Sequence, residues 1–249
     1  VLRIAERILR EAKNLKRVGE EFASEAEGSL IIATTHTQAR YALPETIRAF
    51  RQHYPNVRLQ LKQGNPTQIC DMVVAGEADF AIATEGILLY KELAALPCHS
   101  WNRSVVAPHG HPLTELDRPI TLADIGAYPI ITYDTAFTGR TRINHAFEQA
   151  GVTPNLVLTA IDTDVIKTYV ELGLGVGIMA SVAFNPLRDS HLQMLDAQYL
   201  FPENVTNIAV RKGHYLRGYA YRFIELCSPG LDELAIRSAT NPAKGDDEL

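Results

Sequence analysis

Short apolar runs alternate with helical patterns along this chain. Leu30-Ile31-Ile32-Ala33, Phe80-Ala81-Ile82-Ala83 and Val176–Ala180 each pack apolar side chains at successive positions. Such a run leaves no face for water, so it reads as a strand covered on both sides. Val57, Leu59 and Leu61 instead alternate with Arg58, Gln60 and Lys62, as a half-buried strand does. Further strands are expected over 104–107, 130–133, 156–160, 193–195 and 207–210. Helical spacing fills the intervals at 37–53, 65–76, 122–125, 140–150 and 164–172, and again at 216–227. Pro44 suits the first turn of a regular helix, so the turn before it is expected to be irregular. The β-α-β-α-β order predicts an α/β fold, a parallel sheet with helices on its faces. Two similar units of about 100 residues each fit a 249-residue chain better than one large sheet.

Composition narrows the class further. Hydrophobic residues make up 46% and charged residues 21%, which excludes a disordered chain, a collagen-like chain and a disulfide scaffold. The formal net charge of −5 gives no global field favouring nucleic acid. Any DNA contact must come from a local patch or from a part outside this sequence. Cys70, Cys98 and Cys227 form no CxxC pair, which argues against a zinc ribbon or a thioredoxin site. They read as reduced, buried small hydrophobes in a cytoplasmic protein. No run of 18 apolar residues exists, so no membrane span is expected.

Residues 1–27 read as one helix, with Leu2, Ala5, Ile8, Leu9, Ala12, Leu15, Val18 and Phe22 on a stripe. The stripe suits either a helix packed on the domain or a connector that pairs with another helix. Val1 is not an initiator Met, and the second reading expects a fragment whose N-terminal domain lies elsewhere. The polar stretch 241–249 reads as a disordered tail.

In such folds ligands sit beyond the C-terminal ends of the strands. The loops there are rich in threonine. Thr34-Thr35-His36-Thr37-Gln38 follows the first strand, and Thr84-Glu85 follows Ala83. Asp134-Thr135-Ala136-Phe137-Thr138-Gly139-Arg140 and Asp162-Thr163-Asp164 follow two others. Helix starts present backbone N–H groups and a partial positive charge, and hydroxyls add donors without formal charge. That combination suits a small anion or small polar acid. Any single threonine is explained as well by ordinary helix capping, whereas Thr34, Thr35 and Thr37 together exceed what one cap needs.

Other patterns carry less. Gly173-Leu174-Gly175-Val176-Gly177 lies between a helix and a strand, the reverse of a dinucleotide fingerprint, and reads as a helix cap and strand entry. His109-Gly110-His111-Pro112 offers two metal ligands but reads as a surface turn. Asp162 and Asp164 read as caps and dipole partners rather than an acid–base pair. Trp101 is balanced between a core role and a cleft wall.

The string Ala33-Thr34-Thr35-His36-Thr37-Gln38-Ala39-Arg40-Tyr41-Ala42-Leu43-Pro44 resembles the effector-binding domain of LysR-type transcriptional regulators, in the CysB and Cbl branch. So do Ala78–Glu85, Trp101-Asn102-Arg103-Ser104, Phe137-Thr138-Gly139-Arg140 and Asp164–Val170 with Leu172–Gly177. The resemblance implies two Rossmann-like subdomains joined by two crossover segments, as in type 2 periplasmic binding proteins, preceded by a linker helix. Residues 1–27 would be the dimerising linker, 29–96 plus 205–235 subdomain I, 97–204 subdomain II and 236–249 a tail. Crossings near Pro97–Trp101 and Phe201–Val205 would form a hinge. It implies control of sulfur assimilation and cysteine biosynthesis, with N-acetylserine or O-acetylserine, sulfate and thiosulfate as ligands. It assigns the pocket to Thr35, Thr37, Gln38, Thr84, Trp101 and Thr138, in a cleft between subdomains. It further implies a homodimer or homotetramer, promoter DNA contacted only through the missing N-terminal domain, and no cofactor, metal or membrane. Two other classes remain in view. A solute-binding protein for a sulfur oxyanion or small acid would share the fold but predicts a secretory signal and no dimerising helix. An enzyme would need a nucleophile, metal site or cofactor loop, and none stands out.

Overall fold

The computed structural model describes residues 26–84, 86–135 and 140–241, together with residues 8, 9, 12, 14, 15 and 19. In chain order the regular elements begin with β1 (Gly28–Thr34), α1 (Pro44–His53), β2 (Val57–Gln63), α2 (Pro66–Val74), β3 (Phe80–Ala83) and β4 (Leu93–Trp101). Then come β5 (Arg103–Pro108), α3 (Leu122–Gly126), β6 (Pro129–Tyr133), α4 (Arg140–Gln149), β7 (Asn155–Ala160), α5 (Thr163–Glu171) and β8 (Val176–Ala180). The last are β9 (Leu192–Asp196), β10 (Asn204–Arg211), α6 (Gly218–Cys227) and α7 (Glu233–Thr240). The chain divides into one unit of Val1–His99 with Asn207–Leu249 and a second of Ser100–Thr206.

The sheet of the first unit has the order β2-β1-β3-β10-β4. β1 runs parallel to β2 and β3, and β10 runs antiparallel to β3. Alternation along each strand sorts large side chains from small. Leu30, Ile32, Phe80, Ile82, Ile208 and Val210 join Phe50 of α1 with Phe223 and Ile224 of α6 in one core. Ala33, Ala81, Ala83 and Ala209 face the other way, against Ile69, Cys70 and Val73 of α2. Small residues on that face let α2 lie close. Phe223 touches both Phe50 and Phe80, with ring centroids 5.3 and 5.7 Å away.

The sheet of the second unit has the order β7-β6-β8-β5-β9. β6 pairs parallel with β7 and β8, whereas β5 pairs antiparallel with β8 and β9. Val105, Ile130, Val176 and Ile178 pack with Ile143 and Phe147 of α4. On the opposite face α5 lies so near β8 that a Cβ on Gly177 would sit 2.7 Å from Val106 and 3.0 Å from Ile166 and Val170. α5 ends in Gly173 at φ +77°, with Gly173 N–H donating to the Val170 carbonyl and Leu174 N–H to that of Tyr169. That is the cap expected from the glycines. α5 also carries Lys167, whose buried ammonium donates to Asp189 Oδ1 at 2.9 Å and to the Ala183 carbonyl at 3.1 Å.

Three expectations are corrected. Both sheets are mixed rather than parallel. Leu93–Trp101 is a strand, where the sequence pattern predicts no regular element. Of the stretch expected as tail from 236 on, residues as far as Thr240 lie in α7, because Ile236 and Thr240 are fully buried. Residues 242–249 lie outside the described residues. So does most of the helix expected over 1–27; its described residues 8, 9, 12, 14, 15 and 19 are helical. Asn14 there donates to the Gly213 carbonyl at 3.1 Å and accepts from Tyr215 N–H at 3.2 Å.

Candidate functional site

In the first unit the parallel strands β2, β1 and β3 end side by side, at Gln63, Thr34 and Ala83. Thr34 is opposite both Gln63 and Ile82 in register. Thr35 and Thr84 therefore follow directly on the paired ends of adjacent strands. Thr34 itself is fully buried, and its hydroxyl donates to the Ile82 carbonyl at 3.2 Å. Its neighbour Thr35 is partly exposed. The chain then turns into helix at once. The Thr35 carbonyl accepts from Ala39 N–H at 3.0 Å, and residues Gln38–Ala42 form a π-helical turn closed by Leu43 N–H to the Gln38 carbonyl. Pro44 starts the regular helix α1 immediately afterwards. The irregular turn expected before Pro44 is this π-turn.

The turn presents Thr37 part-exposed, with helical φ and ψ of −58° and −43° and no capping bond from its side chain. Gln38 is 4% exposed. Thr35, Thr37, Gln38 and Thr84 thus come from one strand end, the turn after it and the adjoining strand end. None carries a formal charge. They can hold an anion only by neutral donors, which bind more weakly than a guanidinium fork. The loop after β2 is closed by Asn65, which exchanges side-chain and backbone hydrogen bonds with Gln68 at 2.9 Å each way.

Trp101 belongs to the second unit. It is partly exposed at the end of β4, and the Arg103 guanidinium carbon lies 5.3 Å from its ring centroid. Arg103 is fully buried and donates to Asn204 Oδ1 at 3.1 Å, while Asn204 Nδ2 donates to the Trp101 carbonyl at 3.4 Å. Arg103 and Asn204 therefore set the position of Trp101, and the sequence reading gave neither a role. The available signal was Arg103 as a lone charge opening the apolar run Ser104–Ala107. Ser181 adds a second tie here, donating from its hydroxyl to the Asn102 carbonyl at 2.8 Å.

Thr138 lies outside the described residues. The end of its loop is anchored by Arg140, which donates to the Tyr133 carbonyl at 2.9 Å and to Asn144 Oδ1 at 2.8 Å. Burial pushes the Arg140 pKa below its usual value, and the charge of Asp134 opposes that. Asp162 accepts from Val165 N–H at 2.9 Å as the cap of α5, and Asp164 lies 3.5 Å from Lys167. The Asp162 cap is the role expected for it; Asp164, expected as a dipole partner in the first turn of α5, also pairs with Lys167. His111 accepts from Leu113 N–H at 3.2 Å in a turn, as expected of that motif. Within each unit, no three metal-ligating groups converge among the described residues. A separate groove of about 680 Å³ in the second unit is lined by Leu122, Arg142, His145, Tyr199 and Phe201, among others, and by none of the expected site residues.

The model of the LysR substrate binding domain matches residues 23–232 of the chain. The chain is 54% identical over 239 residues to the HTH-type transcriptional regulator CysB of Burkholderia cenocepacia, covering 96% of this chain and 76% of that protein. It is 52% identical over 236 residues to the HTH-type transcriptional regulator SsuR of the same organism, covering 95% and 76%. Among solved structures, the cofactor-binding domain of the Cbl transcriptional regulator superposes with a TM-score of 0.84 at 44% identity, covering 87% of this chain and 95% of that one.

Proposed function

Because this chain belongs to the family of LysR substrate-binding domains, we propose that it senses the metabolite which sets the activity of a transcription regulator of sulfur assimilation and cysteine biosynthesis. It is a regulator's effector domain rather than an enzyme. The ligand in this reading is N-acetylserine or O-acetylserine, with sulfate and thiosulfate as competing oxyanions. The observation that carries the reading is the uncharged hydroxyl cluster where β1 and β3 end. Thr35, Thr37 and Thr84 offer donors to a carboxylate or a sulfur oxyanion, and the start of the helical turn adds its dipole. Gln38 supplies an amide. In the second unit, Trp101, held by Arg103, and Thr138 are the candidate contacts.

Neutral donors without a cation give modest affinity, which suits a sensor that must release its ligand as the metabolite level falls. The ligand acts by favouring one of two domain arrangements, and only unequal affinity for the two can shift that balance. Promoter DNA is read elsewhere in the regulator, which works in the cytoplasm as a dimer or tetramer. Among the described residues no helix is long and apolar enough to cross a membrane.

Calorimetric titration with N-acetylserine, O-acetylserine, sulfate and thiosulfate tests this reading. Saturable heat from at least one of the four is the expected result. No heat and no thermal shift with any of them would overturn the assigned ligand class.

A further inference from the structure

Cys98 and Cys227 are 129 positions apart in sequence and meet in the first unit. Cys98 sits on β4, and Cys227 is the last residue of α6. Two hydrogen bonds join the strand to the helix end. Cys98 Sγ lies 3.1 Å from the Cys227 carbonyl oxygen and donates to it when protonated, and Ser228 Oγ donates to the Pro97 carbonyl at 3.0 Å. His99 Nδ1 lies 3.4 Å from Cys98 Sγ. Both cysteines are free and intermediate in burial. Cys70, by contrast, is fully buried on α2, where it packs against the sheet.

We propose that Cys98 and Cys227 form a modification site, a dithiol that a hydroperoxide converts into an intramolecular disulfide fastening β4 to α6. Cys98 is the attacking sulfur. The Cys227 thiol and, after it, the His99 ring favour the thiolate, while burial favours the thiol. The two neighbours outweigh burial, and the pKa falls from its usual value to about 6. The same contact and burial push the Cys227 thiol up, so that it keeps its proton and acts second.

The Cys98 thiolate attacks the terminal oxygen of the hydroperoxide. A sulfur–oxygen bond forms, the oxygen–oxygen bond breaks, and the departing alkoxide or hydroxide takes a proton and leaves as alcohol or water. Cys98 is now a sulfenic acid, oxidised by two electrons. The Cys227 sulfur attacks it, the sulfur–sulfur bond forms, and hydroxide departs with the Cys227 proton as a second water. The site lies beside the chain's passage from one unit to the other. β4 crosses from His99 to Ser100 and ends at Trp101, three residues past Cys98.

The test treats the full chain with hydrogen peroxide, blocks remaining thiols after unfolding, and reads intact mass and tryptic peptides. The expected result is a mass lower by about 2 Da before blocking, a Cys98–Cys227 cross-linked peptide, and Cys70 still fully blocked. Dithiothreitol should restore all three thiols. In the Cys227→Ser variant, Cys98 should persist as a sulfenic acid that dimedone traps. Three outcomes would overturn the proposal: both thiols still blockable after peroxide, cross-links through Cys70 or between chains, or direct over-oxidation of Cys98 in the unsubstituted chain.

Discussion

Thr34 and Thr35 carry the same hydroxyl on consecutive residues, and the strand's alternation sends them to different surroundings. The Thr34 hydroxyl serves the fold, through its bond to the Ile82 carbonyl. The Thr35 side chain falls past the last paired residue, where a ligand can reach it. A pair of isosteric substitutions separates the two roles. Thr37→Val should weaken ligand binding by about 1–2 kcal/mol, roughly five- to thirtyfold, with the melting temperature nearly unchanged. Thr34→Val should lower stability by about 1 kcal/mol and leave affinity nearly as it was. Titration calorimetry and denaturant unfolding of both variants check this, and equal affinity losses would erase the distinction. Cys98 gives a second expectation at this scale. Its lowered pKa makes the thiolate the majority form above about pH 6, with His99 and Cys227 as the groups facing it. Its alkylation rate should therefore rise through a midpoint near pH 6, whereas burial and the charge of Asp71 push the Cys70 thiol up to about 11. A Cys98 midpoint at the ordinary thiol value would contradict that.

The elements that were legible in the sequence are those whose own residues state their surroundings. β3 and β8 are buried at every position, and β2 alternates. Asn65-Pro66 marks the start of α2, and the glycines after α5 mark its end. β4 was missed because Pro97 interrupts Leu93–Trp101, and proline ordinarily disqualifies a central strand. The strand tolerates it because β4 lies at the edge of its sheet, beyond β10. Strand direction was illegible for a different reason. The antiparallel pairing of β10 with β3 depends on which distant segment fills the gap, and nothing local encodes that. The site shows the same division. Thr35, Thr37, Gln38 and Thr84 could be read from their places after strands, whereas the support of Trp101 by Arg103 and Asn204 joins residues 101 positions apart. The Lys167–Asp189 pair is another long-range product, linking α5 to the loop before β9. Both partners are buried, and removing Asp189 takes from the Lys167 ammonium its 2.9 Å carboxylate and leaves it the Ala183 carbonyl and Asp164, 3.5 Å away. Asp189→Ala should lower unfolding free energy by about 3–5 kcal/mol, measured by urea denaturation. A loss below about 1 kcal/mol, the scale of an exposed pair, would show that water reaches Lys167.

At the scale of the whole molecule, the proposed function turns on a ligand held by neutral donors and on the response of two units to it. The two passages between units, at residues 99/100 and 206/207, both fall within strands, β4 and β10. Any change of arrangement must be absorbed in those few residues, where hinge motions concentrate. Small-angle scattering should differ between the free chain and the chain saturated with ligand, and superimposable curves would count against a large movement. The most direct test of the central claim is a crystal structure of this chain grown with saturating N-acetylserine or sulfate. The account predicts ligand oxygens within hydrogen-bonding distance of the Thr35, Thr37 and Thr84 hydroxyls, at the strand ends of β1 and β3. A ligand seated elsewhere, or those hydroxyls left facing only water at saturation, would contradict it.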